Sequence, residues 1–445
     1  MDFYGRILRT NLILYHKIMR TGLIDCVKTL NKNQFLSSSE ASKLQLKKMR
    51  ALLRYANKNI PYYNKLFKKI KFDPNIKKIE EIQKLPILTR EQVRKNKNKL
   101  VNKEYDSRFM RENYTGGSSG KPLRFYQNAE YNLYNSADKI RYFNMCGWEL
   151  GDKLVYLWGA YRDQIKTVEK PMLKEKIKRE TWINTFNLTS ENLEHGISFL
   201  NKYNPNLTVA YVSSAELFAK HILGLENKLK LRAIETSAEK LHDDQRKLIG
   251  ETFNCEVFDR YGCREVGNIA HECNEHHGLH ISSDIQVVEI LDNENNAVVD
   301  EPGKVIVTNL TNYTMPFIRY DLEDIAILKD GVCNCGRGFP CLDKIIGRGD
   351  AIFKFSSGKT IHGAYFQEQM ALLPGVEQFQ IAQETKSRII IKLIINEKFD
   401  ELKFVKAKNY IIKELGEDIS IEKKIVNEIE RTPTGKYFRT ISKVK

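Results

Sequence analysis

Residues 207–229 read "LTVAYVSSAELFAKHILGLENKL". A short apolar run ends in two serines, and a stretch of helical pattern follows. The same grammar recurs in "DKLVYLWGA" (152–160), "LRAIETSAE" (231–239) and "CEVFDRYG" (255–262), with "HDDQRKLIGETF" (242–253) between the last two. Strand, turn and helix in repetition predict an α/β fold built on a sheet. In such sheets ligands collect at the carboxyl ends of the strands, where these runs end in small or polar residues.

The pattern changes on either side. Residues 279–330 are rich in β-branched residues broken by polar turns, which predicts a strand meander. After "IIGRGD" (345–350), "SRIIIKLII" and "KFVKAKNYIIKELG" predict a small α+β domain. The expected division is a large domain over 1–346, a hinge at 347–350 and a small domain over 351–445. Upstream, Tyr4, Ile7, Leu8, Leu12, Tyr15, Met19, Leu23, Val27 and Leu30 recur every three or four residues, with Arg6, Arg9, Lys17 and Arg20 largely between them. That predicts a basic amphipathic helix. A second such stretch is "SKLQLKKMRALLRYANKNIPYY".

The chain has 445 residues and a formal charge of +16. Residues 1–100 hold 24 Lys and Arg against 7 Asp and Glu, so the other 345 sum to about −1. Such a localised surplus suits an anionic membrane surface, nucleic acid or plain solvation. Neither helix-turn-helix nor zinc-finger spacing is present, and aromatic residues are sparse among the basic ones, so no nucleic-acid partner is expected. No apolar run is long enough to span a membrane, and no export signal is evident. Eight cysteines in a chain of this length do not make a disulfide framework. A cytoplasmic setting is expected. The N-terminal helix would either sit peripherally at the inner membrane surface or dock on the large domain.

Residues 114–125, "YTGGSSGKPLRF", are mostly backbone and hydroxyls. Glycines let N–H groups approach a ligand, and such groups form anion-binding concavities. The familiar nucleotide-binding spacing is absent: the glycines are one residue too close for it, and Pro122 follows Lys121.

Four separated segments complete the pattern: "YTGGSSGKP" (114–122), "RYGCREVG" (260–267), "RYDLEDIA" (319–326) with "IIGRGD", and "ERTPTGK" (430–436). In this order they resemble the core motifs of the adenylate-forming ligase superfamily, in particular its phenylacetate–CoA ligase-like branch. "LRYANKNIPYY", "GWELGDKLVYLWG", "TSAEKL" and "YGCREVGNIAHEC" resemble the CapK-type subgroup, linked to capsular polysaccharide biosynthesis. The resemblance covers roughly residues 50–445. It implies ATP-dependent activation of a carboxylate to an acyl-AMP with release of pyrophosphate, then acyl transfer to coenzyme A or to another nucleophile such as an amine or sugar.

The resemblance also implies roles. Thr115, Gly116, Gly117, Ser118, Ser119 and Gly120 would cradle phosphates. Lys121 would add charge, although it precedes the place of the family's lysine, which Leu123 takes here. Ala238, Glu239 and Tyr261 would bind the nucleotide, Glu265 the Mg2+, and Asp321 both ribose hydroxyls, as a carboxylate does well. Arg348 would lie near the ribose or phosphates, Asp350 at the hinge, and Lys436 would be the catalytic lysine. Arg264 stands where the family has a hydroxyl on the α-phosphate. It would hold that phosphate more strongly or reach an acidic acyl group. The alternative is a non-catalytic membrane-surface component that has kept the fold, against which Lys436 and Asp321 speak.

Four of the nine histidines fall in "HECNEHHGLH" (271–280), and "CNC" follows at 333–335. Cys273, a nearby His, Cys333 and Cys335 make a soft four-ligand set suited to structural Zn2+. The resemblance implies His280 as the fourth ligand, with His276 its rival. Cys26, Cys146, Cys255, Cys263 and Cys341 read as ordinary buried thiols.

Overall fold

The computed structural model describes every residue except 1, 103, 116–122, 159–178, 186–189, 224–228, 349–351, 358–359, 363–365, 367–369, 371–372, 416–418, 431–436 and 445. The chain divides into two units, Met1–Ile345 and Ile346–Lys445.

The first unit opens with helices α1 (Phe3–Ile18), α2 (Leu23–Asn33), α3 (Ser38–Asn59) and α4 (Pro61–Ile70). The single helix expected over 3–30 is two. Arg20 and Gly22 take positive φ (48° and 74°) and turn the chain between them, a conformation glycine adopts at little cost. Gly5 and Leu8 of α1 are buried, whereas Phe3, Tyr4, Ile7, Leu14, Tyr15, Ile18 and Met19 are exposed. The helix is pinned by Asp2, which accepts from Arg179 Nη1 and Nη2 at 2.6 and 2.7 Å, and by Arg9, 2.5 Å from Glu149. Serine 37 and Glu40 form a capping box that starts α3, and Pro61 occupies the first turn of α4, where its missing N–H costs nothing. Helix α5 (Arg90–Leu100) starts from a Thr89–Gln92 capping box.

Strands β1 (Met110–Tyr114) and β2 (Arg124–Asn128) pair as an antiparallel hairpin, and Asn128 caps α6 (Ala129–Met145). Then come β3 (Leu154–Leu157), β4 (Glu180–Ile183), α7 (Ser190–Tyr203), β5 (Leu207–Tyr211), α8 (Val212–Leu223), β6 (Ala233–Ser237), α9 (Asp243–Phe253) and β7 (Glu256–Cys263). The meander supplies β8 (Gly267–Glu272), β9 (Leu279–Ile281), β10 (Gln286–Leu291), β11 (Pro302–Asn309), β12 (Tyr320–Leu328) and β13 (Cys341–Arg348).

These form one 11-stranded sheet in the order β10-β11-β12-β13-β9-β8-β7-β6-β5-β3-β4. The four apolar runs singled out in the sequence are β3, β5, β6 and β7, mutually parallel neighbours. Helices cover both faces of this half. Phe218, Ile222, Ile249 and Phe253 of α8 and α9 pack with Val155, Ala210 and Ile234, while Phe143 of α6 and Cys146, which caps it, pack with Tyr156, Val209 and Phe258. Two-sided cover explains why these strands read as continuous apolar runs.

The second unit holds β14 (Ile352–Lys354) and β15 (Thr360–His362) as a hairpin. It also has a four-stranded sheet of β16 (Val376–Thr385), β17 (Arg388–Ile395), β18 (Ser420–Ile425) and β19 (Thr440–Ser442), ordered β18-β17-β16-β19. Helix α10 (Glu401–Leu415) buries Phe404, Ile411 and Leu415 with Phe379, Ile381, Ile391 and Leu393. The unit is α+β, the class expected for the C-terminal part of the chain.

Candidate nucleotide site and cysteine cluster

Thr115 follows β1 and is buried. Its N–H donates to the Leu123 carbonyl at 2.9 Å, and its Oγ1 accepts from the Leu123 N–H at 3.0 Å. The two ends of the glycine-rich loop are thereby held side by side. Gly116, Gly117, Ser118, Ser119, Gly120 and Lys121 lie outside the described residues, as do Asp350 and Lys436. Arg348 ends β13.

The β7–β8 turn reaches this hairpin. Gln127 Nε2 donates to the Arg264 carbonyl at 2.8 Å, and Arg264 Nη1 to the Tyr114 carbonyl at 3.4 Å. Arg264 is exposed there, beside the start of the loop. Next to it Glu265 is buried, with Oε1 3.3 Å from Arg90 Nη2 and 3.5 Å from the Tyr320 hydroxyl. Among the described residues both contacts fall on Oε1, so Oε2 is the atom that could take a cation. One carboxylate is all that a magnesium ion carrying phosphate oxygens and water needs from a protein.

Tyr261 lies on β7, half-buried, and donates to Asp324 Oδ2 at 2.7 Å. Beside it, β6 ends at Ser237, the register partner of Arg260. Ala238 follows at φ 71°, a left-handed conformation uncommon for a residue with a Cβ and concentrated at functional sites. Glu239 accepts from the N–H and Oγ of Ser213 at 2.7 and 3.0 Å, so the loop after β6 is tied to the first turn of α8.

Asp321 opens β12. Its N–H donates to the Leu88 carbonyl at 3.1 Å, and its Oδ1 accepts from the Glu323 N–H at 2.8 Å. Arg319 and Glu323 on either side have φ of 52° and 63°. Arg319 is buried, paired to both oxygens of Glu289 at 3.0 Å and bonded to the carbonyls of Gln83 and Leu85. Sequence reading found neither Arg319 nor Arg90 as a positioning group. Arg319 stands inside the "RYDLEDIA" motif, and Arg90 had no signal beyond opening a capped helix.

A second cluster lies at the other end of β8. Cys273 follows that strand, His280 lies on β9, and Cys333 and Cys335 are in the β12–β13 connection. Their ligand atoms all lie within 4.8 Å of one another. Cys273 Sγ is 3.7 Å from Cys333 Sγ, and Cys335 Sγ is 3.3 Å from His280 Nε2. A tetrahedral zinc ion, with bonds of about 2.0–2.3 Å, separates its ligands by comparable distances. Nδ1 of His280 is 3.4 Å from the Phe339 carbonyl, an arrangement that leaves the Nε2 lone pair for a metal. Burial, reinforced by the charge of Arg337, lowers this imidazole to about 4. His276 is outside the cluster, with Nδ1 3.2 Å from Glu272. Cys341 is a buried thiol, as expected; its Sγ is 3.4 Å from His280 Nδ1, and burial pushes it up to about 12. Cys26, Cys255 and Cys263 are half-buried.

The comparisons agree with this architecture. Residues 354–443 match the CapK C-terminal domain family. The chain is 27% identical over 414 residues to protein CapK of Staphylococcus aureus, covering 90% of this chain and 89% of that one. A phenylacetate–coenzyme A ligase of Pseudomonas putida is 23% identical over 318 residues, 69% of this chain and 70% of that one. Among solved structures, 2-hydroxyisobutyryl-CoA ligase in the postadenylation state superposes with a TM-score of 0.74 at 18% identity, covering 92% of this chain and 90% of that chain. The fold is that of the adenylate-forming CoA ligases. Within it, the chain is similar in sequence to CapK and to the phenylacetate–CoA ligases.

Proposed function

We propose that this protein is an AMP-forming ligase: it activates a carboxylic acid with ATP, releases pyrophosphate, and passes the acyl group to coenzyme A or to another nucleophile, an amine or a sugar. The observation that carries this reading is convergence. Contacts of Arg264 with the β1–β2 hairpin, of Glu265 with Tyr320, and the pairing of Ser237 with Arg260 gather Thr115, Ala238, Tyr261, Glu265 and Asp321 around the ends of β6 and β7. Attack of a carboxylate oxygen on the α-phosphate builds charge on phosphate oxygens, so the site must supply donors and cations. The residues after Thr115 offer N–H groups and hydroxyls to the β- and γ-phosphates. Arg264 approaches the α-phosphate, and Glu265 Oε2 would hold a Mg2+ ion, which would supply positive charge for the phosphate oxygens and the leaving pyrophosphate. Tyr261 and the Ala238–Glu239 turn take the adenine, and Asp321 the ribose. Lys436, on a flexible stem, closes on the α-phosphate when the C-terminal unit rotates about Asp350. Arg348 then lies near the nucleotide. The cysteine cluster holds a structural zinc that staples the meander. Acid-dependent pyrophosphate release, screened over aryl acids, fatty acids, amino acids and uronic-acid conjugates, tests the reaction, and a polysaccharide role follows if the acceptor is a sugar.

A second reading concerns place. No described helix is long and apolar enough to cross a membrane. Yet α1 presents Phe3, Ile7, Leu14 and Ile18 along one exposed stripe, with Arg6 and Lys17 at its edge. The opposite side, through Gly5 and Leu8, is buried. The helix therefore docks on its own unit and still keeps a face for a lipid surface. Each basic residue near an anionic surface adds about 1 kcal/mol, and a shallow apolar face completes reversible binding. We infer peripheral contact with anionic membrane. Sedimentation with phosphatidylserine vesicles at low and high salt tests it. Pelleting that salt weakens supports it, and a protein that ignores the vesicles at low salt contradicts it.

A further inference from the structure

A charged network lies beneath the carboxyl ends of β6 and β7, in surroundings that are otherwise closely packed. Glu235 of β6 is fully buried. Its Oε2 is 3.0 Å from His271 Nε2, and its Oε1 is 3.2 Å from Arg260 Nε yet lacks a well-directed hydrogen bond among the described residues. The other ring nitrogen of His271 meets the Glu272 carbonyl at 2.5 Å, so the ring is fixed against Glu235. Arg260 of β7 also donates from Nε and Nη2 to Ser237 Oγ, at 3.2 and 3.0 Å. Its side chain retains 16% exposure.

A buried ion pair is poor value as a source of stability, since well-packed apolar residues would serve as well. Its position is informative. Successive residues of a strand point to opposite faces. Tyr261 packs on the core shared with the meander, so Arg260, one residue earlier, points to the α6 face. The Nε and Nη2 edge of its guanidinium is occupied by Ser237 and Glu235, and the group has five N–H donors in all. In an acyl-adenylate the acyl group is one phosphoryl bridge from the nucleotide. A nucleotide seated on Tyr261 and Ala238 brings the acyl group to the strand ends where Arg260 emerges.

Resting on the ligase reading above, we propose that Arg260, held in place by Glu235, binds a hydrogen-bond-accepting oxygen on the acyl part of the substrate. The acid is then a hydroxy acid or dicarboxylate, and a plain aryl or alkyl acid leaves the guanidinium without its partner, a strong ground for rejection.

The test is pyrophosphate exchange by the full chain with glycolate, 3-hydroxybutyrate, malonate and succinate against phenylacetate and hexanoate. At least one polar acid should exceed both apolar ones tenfold or more in kcat/KM. The double variant Arg260→Met/Glu235→Gln, which strands no buried charge, should raise KM for that acid at least tenfold while KM for ATP stays within twofold, and Arg260→Lys should recover part of the loss. If phenylacetate or hexanoate matches the polar acids, this inference is overturned and the ligase reading stands. If no acid of either kind supports exchange, the ligase reading falls and this inference with it. Should the variants fail to fold, the preference of the native protein decides alone.

Discussion

Strand β8 is short, yet two unlike clusters stand at its ends. At its start the β7–β8 turn presents Arg264 and Glu265 to the glycine-rich hairpin; at its end Cys273 meets His280, Cys333 and Cys335. The first cluster is held by charge. Glu265 faces Arg90, Arg319 grips Glu289, and several backbones carry positive φ. The second is made of soft sulfur and nitrogen ligands gathered from strand ends, with a histidine kept neutral by burial. Charge pairs and strain suit a place where a polyanion must bind, react and leave. A closed sulfur and nitrogen set suits an ion that stays. The difference predicts that damage at the first cluster costs activity, and damage at the second costs stability.

Lys436→Ala should have the largest effect. Removing the cation proposed to act on the α-phosphate should lower acid-dependent adenylation by about 100-fold or more, with the melting temperature and ATP binding unchanged; a stopped assay and calorimetry separate the two. Cys335→Ser should do the opposite. Elemental analysis should find about one zinc per native chain and none in the variant, and the loss should cost on the order of 4 kcal/mol of stability. Native protein without zinc, purified free of chelator, would count against the cluster alone.

Asp259 of β7, whose N–H donates to Glu272 Oε2 at 2.8 Å, gives an intermediate effect. Burial, then the charge of Glu272, raises its carboxyl to about 7. The folded chain therefore keeps a proton that the unfolded chain releases near pH 4. Between about pH 4 and 7 stability should fall as pH rises, by at most about 1.4 kcal/mol per unit. Denaturant titrations of Asp259→Asn should show that slope flattened and a gain in stability above pH 7. The smallest effect on the fold belongs to α1. Ile7→Ser with Ile18→Ser alters an exposed stripe, so stability should move by about 0.5 kcal/mol or less, while pelleting with anionic vesicles should be lost.

The parallel half of the sheet was legible because β3, β5, β6 and β7 are covered on both faces, and their apolar runs are broken by the polar loops that matter. The segments proposed to hold the nucleotide stand out as local strings. What escaped was what distance in sequence hides. Arg90 reaches Glu265 across 175 positions, and no local pattern announces such a partner. The choice between His280 and His276 depends on the β8–β9 turn, which sends one toward the cysteines and the other to Glu272. The long N-terminal helix was misread because apolar spacing runs on through Gly22, although the backbone turns there.

The central claim is that this site joins AMP to a carboxylate. Its most direct test is exchange of labelled pyrophosphate into ATP, with Mg2+ and a panel of carboxylic acids, in the native chain and in Lys436→Ala. The account predicts exchange that requires an acid, appears together with a detectable acyl-AMP, and is nearly abolished in the variant. Exchange with no acid of any class, or exchange undiminished by loss of Lys436, would contradict it.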